Sequence, residues 1–334
     1  MKISQFMSKA LFDESSGYYR TKNPLGKNSD FITAPEISQI FGELIAAYIL
    51  QISSSKKKKI SLVEMGAGRG VMMRDILNSI KKLADKKIAP AVDFLTSTTF
   101  HIIEINEVLK KIQQENLQNF NVKWHKNFSD FLSGEEEIFF ISNELFDCFP
   151  IDQFVLTEIG WCERIIVEKN FTLAAFDKKI HDFVEKEIGV LAPIGAVFEK
   201  SQDARDFMNQ LCVALKKNGG IAINFDYGYF KNNFANSLQA LKNHQKTNVL
   251  ENVGECDITA HVDFAALDKI TKHYDLNSSL ITQREFLISL GIFDRQKILL
   301  EENPQLADEI NSSIDRLIAP DQMGELFKCH IIWK

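Results

Sequence analysis

Residues 64–70 read Glu-Met-Gly-Ala-Gly-Arg-Gly, with glycines at three alternate positions, Gly66, Gly68 and Gly70. An apolar run, ISLVEM, leads into them, and a helix-like run, VMMRDIL, follows. Glycine admits backbone angles closed to other residues, so such a turn can approach a nucleotide-like ligand closely. The dinucleotide fingerprint G-x-G-x-x-G needs its third glycine one place later, where this chain has Val71. A pyrophosphate on the helix N-terminus would also sit badly beside an acid, and Glu64 stands two residues before the first glycine. That acid suits a ligand that carries positive charge and no phosphate. A second acid, Glu104, ends the next strand-like run, FHIIEI. A carboxylate there can accept hydrogen bonds from both hydroxyls of a ribose.

A third group follows the apolar run IFFIS, in the segment SNELFDCFP (142–150). It lies where a substrate approaches the carboxyl end of a strand. Amino-methyltransferases often carry Asn/Asp-Pro-Pro-Tyr/Phe at this place. Asn143 and Phe146 match its outer positions, while Glu144 and Leu145 replace the prolines. An acid beside the acceptor suits a cation such as a guanidinium, which carboxylates bind bidentately. Glu144 is therefore the first catalytic candidate, with Asn143, then Asp147 and Asp226. Plainer uses stay open: Asn143 and Glu144 could cap a helix, Glu104 could be a solvated strand end, and Asp226 could anchor the Asp-Tyr-Gly turn. His244, Cys256 and His261 match no zinc spacing, so no metal is expected.

These residues need elements to hold them. Ile37, Ile40, Phe41, Leu44, Ile45, Tyr48, Ile49 and Ile52 predict a helix over 36–52, with Thr33 and Glu36 as its capping box. From Ile60 onward strands and helices alternate: strands at ISLVEM, FHIIEI, NVKWHK, the 138–146 run and IAINFDYG (221–228). Helices are expected from about Val71 to Leu83 and with Val108, Leu109, Ile112 and Leu117 on one face. This rhythm implies a parallel sheet covered on both faces. Residues 151–176 read as a β-meander, and a helix carrying Ala204, Phe207, Met208, Leu211 and Leu215 returns to the core. Residues 229–280 are polar and mostly helical by pattern. A late helix carries Leu306, Ile310, Ile314 and Leu317, and LFKCHIIWK closes the chain as a strand.

The chain has 334 residues, 45% of them hydrophobic and 25% charged, which allows one large domain or a core with insertions. A net charge of -6 provides no global attraction for nucleic acid, and the basic run Lys56–Lys59 reads as a solvated approach to a buried strand. Five scattered cysteines without a C-x-x-C pair fit a reduced compartment. No apolar leader and no membrane-spanning run is read, so a cytoplasmic protein without membrane insertion is expected.

The pattern G-x-G-x-G with Glu64 in front resembles motif I of class I S-adenosylmethionine (SAM) dependent methyltransferases. More widely, the chain resembles the MidA-like methyltransferase family. The resemblance runs through GYY (17–19), DFITAPEISQIFGE (30–43), EMGAGRG, SNELFDCFPIDQF (142–154), WCERII, FDYGY (225–229), GECDITAHVDF (254–264), TQREFLISLGI (282–292) and MGELFK (323–328). It implies an α/β, Rossmann-like fold with parallel strands and a last antiparallel strand. An N-terminal helical lid (1–55) would precede a core at 56–334, with a β-meander insertion at about 151–200 and a helical one at about 229–280. It implies SAM as cofactor, held by Glu64, the three glycines and Glu104, with Thr33, Pro35 and Glu36 of TAPE as the lid. It implies protein arginine methylation in a bacterial cytoplasm, on a core subunit of respiratory complex I of the 49-kDa type. A small-molecule methyltransferase and a SAM-binding assembly factor without catalysis are the alternatives. The large insertions favour a protein substrate, because they widen the surface around the pocket. Ser29 stands where the family usually has glycine, Val71 where threonine is common, and LFDCFP replaces FFDALP.

Overall fold

The computed structural model describes residues 1–21, 33–54, 58–132, 134–231, 234, 236–242 and 245–334. Ser29, His244 and the first half of the Lys56–Lys59 run lie outside them. Four strands open the core: β1 (Ile60–Met65), β2 (Thr98–Ile103), β3 (Val122–His125) and β4 (Glu137–Asn143). The first insertion contributes β5 (Asp152–Thr157), β6 (Gly160–Val167), β7 (Asn170–Leu173) and β8 (Val197–Lys200). The chain then returns through β9 (Gly220–Tyr229). Short strands β10 (Gln239–Lys242), β11 (Gln245–Thr247), β12 (Asp257–Thr259) and β13 (Val262–Asp263) follow, and β14 (Asn277–Thr282) and β15 (Phe327–Trp333) complete the set.

The central sheet runs β14-β15-β9-β4-β1-β2-β3, with β13 added alongside the end of β9. The β9-β4-β1-β2-β3 block is parallel. β15 is antiparallel to both of its neighbours, β9 and β14. Every residue of β4 after Glu137 is buried, as expected of a strand covered on both faces. Alternation sorts the side chains. Leu62, Ile102, Phe139, Ile141, Ile223 and Phe225 face one apolar cluster, packed by helices Gln39–Ser53 and Val71–Asp85. Val63, Ile103, Phe140 and Ala222 face the other, packed by Gln202–Asn218 and Phe264–His273.

Several local expectations change. The predicted helix over 36–52 is split. Thr33 precedes a short helix, Ala34–Ile37, without a side-chain capping bond, and extended Ser38 caps a second one, Gln39–Ser53. Pro35 in the first turn of the short helix sets its start. Gln39–Ser53 is a core helix rather than part of a lid. Among the described residues, 229–280 hold short strands joined by loops rather than mostly helix, with one long helix at Phe264–His273. β10 pairs with both β11 and β12 there, and such short strands, two of them polar and partly exposed, carry little apolar periodicity to read. The first insertion is a four-stranded antiparallel sheet, β7-β6-β5-β8. Helix Ile3–Phe12 wedges between the two insertions, with Ile3, Phe6, Met7 and Leu11 packed on Ile151, Ile166 and Ile258.

Candidate functional site

Parallel pairing brings the candidate acids to one edge. Glu64 is in register with Ile102 on one side and Ile141 on the other, and Asn143 with Phe225. Glu64, Glu104, Asn143 and Asp226 thus gather near the carboxyl ends of β1, β2, β4 and β9, where the strand order reverses and ligands bind in such sheets. A cavity of about 510 Å³ opens there. Thr33, Pro35, Glu36, Glu64, Gly66, Gly68, Glu104, Asn143, Glu144 and Asp147 line it.

The glycine turn is held from two sides. Gly66, Gly68 and Gly70 have φ values of 69°, 52° and 75°, in the left-handed region. The Gly70 N–H donates to the Ala67 carbonyl at 2.7 Å, and Gly70 caps the helix Val71–Asp85. Helix Glu107–Asn116 clamps the turn from below. Buried Gln113 donates through Nε2 to the Gly68 carbonyl at 2.8 Å and to Glu104 Oε2 at 2.9 Å. Its Oε1 accepts the Trp124 indole N–H at 3.0 Å. Asn116 adds a bond to the Arg69 carbonyl at 2.8 Å. A Cβ on Gly70 would lie 3.3 Å from Gln113, so the third glycine makes room for this clamp. Sequence reasoning missed Gln113. The predicted apolar face included Val108, which is exposed, while the buried stripe is Leu109, Gln113 and Leu117. A glutamine four residues from a leucine on each side was the available signal.

The two cofactor-side acids differ. Glu104 accepts the Asn106 N–H at 2.8 Å as well as the Gln113 amide, so its carboxylate is fixed in place. Burial still raises its pKa. Glu64 is 3% exposed, and burial pushes its carboxyl up to about 8, against the pull of the Met73 backbone N–H. Its Oε2 has no hydrogen-bond partner among the described residues. An orphaned buried carboxylate oxygen next to a glycine cradle fits a ligand that brings a cation. Arg69 is engaged by Glu36 at 3.3 Å, joining the TAPE segment to the turn. Val71 is the first residue of the helix and lines the cavity with its apolar side chain.

The acceptor side is strained and acidic. Glu144 takes φ 50°, a left-handed angle uncommon for a residue with a side chain. Its N–H donates to the Phe225 carbonyl at 2.9 Å, and Asn143 Nδ2 donates to its Oε1 at 3.1 Å. Burial, then the charge of Asp147, pushes the Glu144 carboxyl up to about 8, opposed by the Asn143 amide and the Ala34 N–H. Asp147 is 5% exposed and is pushed up to about 6 by burial, while a hydrogen bond from the Tyr227 hydroxyl pulls it down. Asn143 Oδ1 and Asp147 Oδ1 have no partner among the described residues.

These residues fit a methyl donor with a ribose and an amino-acid end, and comparison with known proteins agrees. A family model described as "Putative S-adenosyl-L-methionine-dependent methyltransferase" matches residues 44–282. The chain belongs to this methyltransferase family. It is 31% identical to the mitochondrial protein arginine methyltransferase NDUFAF7 of Danio rerio, covering 98% of this chain and 82% of that protein. The Homo sapiens counterpart is 27% identical, over 97% of this chain and 78% of its own. A COG1565 superfamily structure from Burkholderia thailandensis, bound to S-adenosylhomocysteine, superposes with a TM-score of 0.85 at 24% identity. The match spans 100% of this chain and 88% of that one, and it shows the same fold.

Within this methyltransferase two expected site residues stand outside the cavity lining: Gly70, which supports the turn from behind, and Asp226. Asp226 is fully buried and does not line the cavity. Its Oδ2 accepts the Phe146 and Asp147 N–H groups at 2.8 and 3.2 Å, and its Oδ1 the Tyr227 N–H at 2.9 Å. It pins the loop after β4 from beneath, so the expectation that it faces the acceptor is corrected. Tyr227, the next residue, faces the cavity instead. His261 also lines the wall, edge-on to Tyr227 at 5.6 Å, and burial with nearby Lys246 and Lys328 lowers its pKa.

Proposed function

We propose that this methyltransferase transfers a methyl group from SAM to an arginine side chain of a protein substrate. The observation that carries the reading is the pairing of Glu144 with Asn143 and Asp147 at the mouth of the glycine-turn cavity, with buried acceptor oxygens left open toward it. The names of the relatives in Danio rerio and Homo sapiens support the same acceptor.

Bound SAM supplies an electrophilic methyl carbon on a good leaving group. The chain's own residues supply position. Glu104, fixed by Gln113 and Asn106, would accept both ribose hydroxyls. Glu64 Oε2 would accept the ammonium of the methionine end. Glu144, oriented by Asn143, would bind the guanidinium and align one nitrogen, which is the main source of acceleration in such a displacement. The nitrogen that gains the methyl group from the sulfonium would shed one proton. A carboxylate whose pKa stands near neutrality can take it, and Glu144 is placed for that. Asp147, lower in pKa, keeps negative charge beside it.

The proposed substrate is a core subunit of respiratory complex I of the 49-kDa type, methylated in the cytoplasm during assembly. The second insertion, which lines the cavity through Gln239, Leu241, Lys246, Asp257 and His261, supports a protein substrate. Mass spectrometry of complex I core subunits from the host, with and without this gene, tests it. Arginine methylation that disappears with the gene is the expected result, and identical methylation rejects the substrate.

A further inference from the structure

The segment Asp-Ile-Thr-Ala-His (257–261) has no part in the reaction as described so far, yet its first and last residues line the same cavity. Asp257, on β12, is 4% exposed, and its Oδ1 accepts the Tyr19 hydroxyl at 2.7 Å. Tyr19 comes from the N-terminal segment and stacks on Phe12 with ring centroids 5.8 Å apart; both rings line the cavity. The N-terminus and the second insertion therefore build one wall together, joined to the loop after β4 where the Ala260 N–H donates to the Asp147 carbonyl at 3.0 Å.

We propose that Asp257 is a binding carboxylate for the cationic acceptor, lining the pocket beside Glu144 and Asp147. The inference rests on the arginine reading and extends it. Asp257 is close enough to Glu144 for its charge to raise that carboxyl's pKa. The buried Oδ1 of neighbouring Asp147, which has no hydrogen-bond partner among the described residues, marks the space as one that wants a donor. Two buried carboxylates, Asp147 and Asp257, and the partly buried Glu144 line one cavity and repel each other, and a planar cation with five N–H donors can bridge them. Aromatic walls at Tyr19, Phe12 and Tyr227 suit the faces of that plane. Lys246 also lies on this wall, but it is solvent-exposed, where water and salt screen it.

The test uses the full chain saturated with S-adenosylhomocysteine, titrated with the tripeptides Gly-Arg-Gly and Gly-citrulline-Gly. The citrulline peptide has the same shape without the charge. The Asp257→Asn variant keeps an oxygen for the Tyr19 hydroxyl, and its S-adenosylhomocysteine affinity, expected unchanged, reports an intact fold. Its Gly-Arg-Gly affinity should fall tenfold or more, with loss of discrimination against citrulline. Tyr19→Phe, which removes the hydroxyl that orients the carboxylate, should cost severalfold. Retained arginine affinity in both variants overturns the role of Asp257 and leaves the arginine reading standing. Equal binding of the two peptides by the unaltered protein rejects the arginine reading itself, and the role of Asp257 falls with it.

Discussion

Glu144 is held at φ 50° between the Phe225 carbonyl and the Asn143 amide. A backbone angle of that kind costs on the order of 1–3 kcal/mol and persists where the surroundings impose it. Here the return is a carboxyl poised near neutral pH. The unliganded protein carries Glu144 at about 8, so the anion that binds a guanidinium forms as pH rises. The acceptor's kcat/KM should therefore climb between pH 6 and 9 with a limb near 8, as read in a pH–rate profile. Glu144→Gln should remove that limb and lower kcat by about 10²-fold or more, the scale of a lost acid–base group. A variant that keeps both the limb and the rate would move catalysis elsewhere, with His261 the next group to change. Asp226 shows the opposite case. Asp226, on β9, has both carboxylate oxygens taken by the Phe146, Asp147 and Tyr227 N–H groups, so it is not available to a substrate.

At the scale of elements, the helix Glu107–Asn116 decides how rigid the cofactor cradle is. Gln113 joins Gly68, Glu104 and the Trp124 indole through one buried amide. Gln113→Ala should strand all three partners, destabilising the fold by about 1–3 kcal/mol per unsatisfied group at most, since water can enter the gap. The same variant should weaken SAM binding tenfold or more, because the turn and the ribose acid lose their common brace. Thermal unfolding and titration calorimetry on the one variant separate the two effects. Unchanged SAM affinity would mean that the turn holds itself through the Gly70–Ala67 bond. The short helix Ala34–Ile37 works from above, tied to the turn through Glu36–Arg69 and to the acceptor acid through the Ala34 N–H.

The whole molecule carries an excess of buried acid. Glu64 and Glu144 stand at about 8 in the folded chain, against ordinary values near 4.5. Between those values the folded state binds more protons than the unfolded state, so unfolding free energy falls as pH rises through that window. Calorimetry of the ligand-free protein should show its Tm declining from pH 5 toward pH 8, with a shallower decline in Glu144→Gln. A rising Tm over that range would contradict the burial of these acids. Saturating SAM should raise the Tm throughout, by about 2.7 kcal/mol of stabilisation at a hundredfold excess over Kd. Function and stability thus oppose each other at one site, and the ligands reconcile them by bringing cations. Among the described residues no helix is long and apolar enough to cross a membrane.

The sequence alone was enough for the parallel core and its ligand edge. Buried strands write themselves as unbroken apolar runs, and a glycine turn with Glu64 before it needs only local geometry to be read. The β15 strand was legible for the same reason, and the meander from the turn signals that split its apolar runs. What tertiary structure decided was every property that depends on a partner far along the chain. Gln113 became a clamp only because its helix lies under the turn, 45 residues away. Asp226 became a brace because the loop after β4 folds over it, 80 residues upstream. Tyr19 and Asp257 became one wall across 238 residues. Polar residues carry no periodic signature of burial, since their cost or benefit is set by whichever donors the fold brings within 3 Å of them, the ordinary reach of a hydrogen bond.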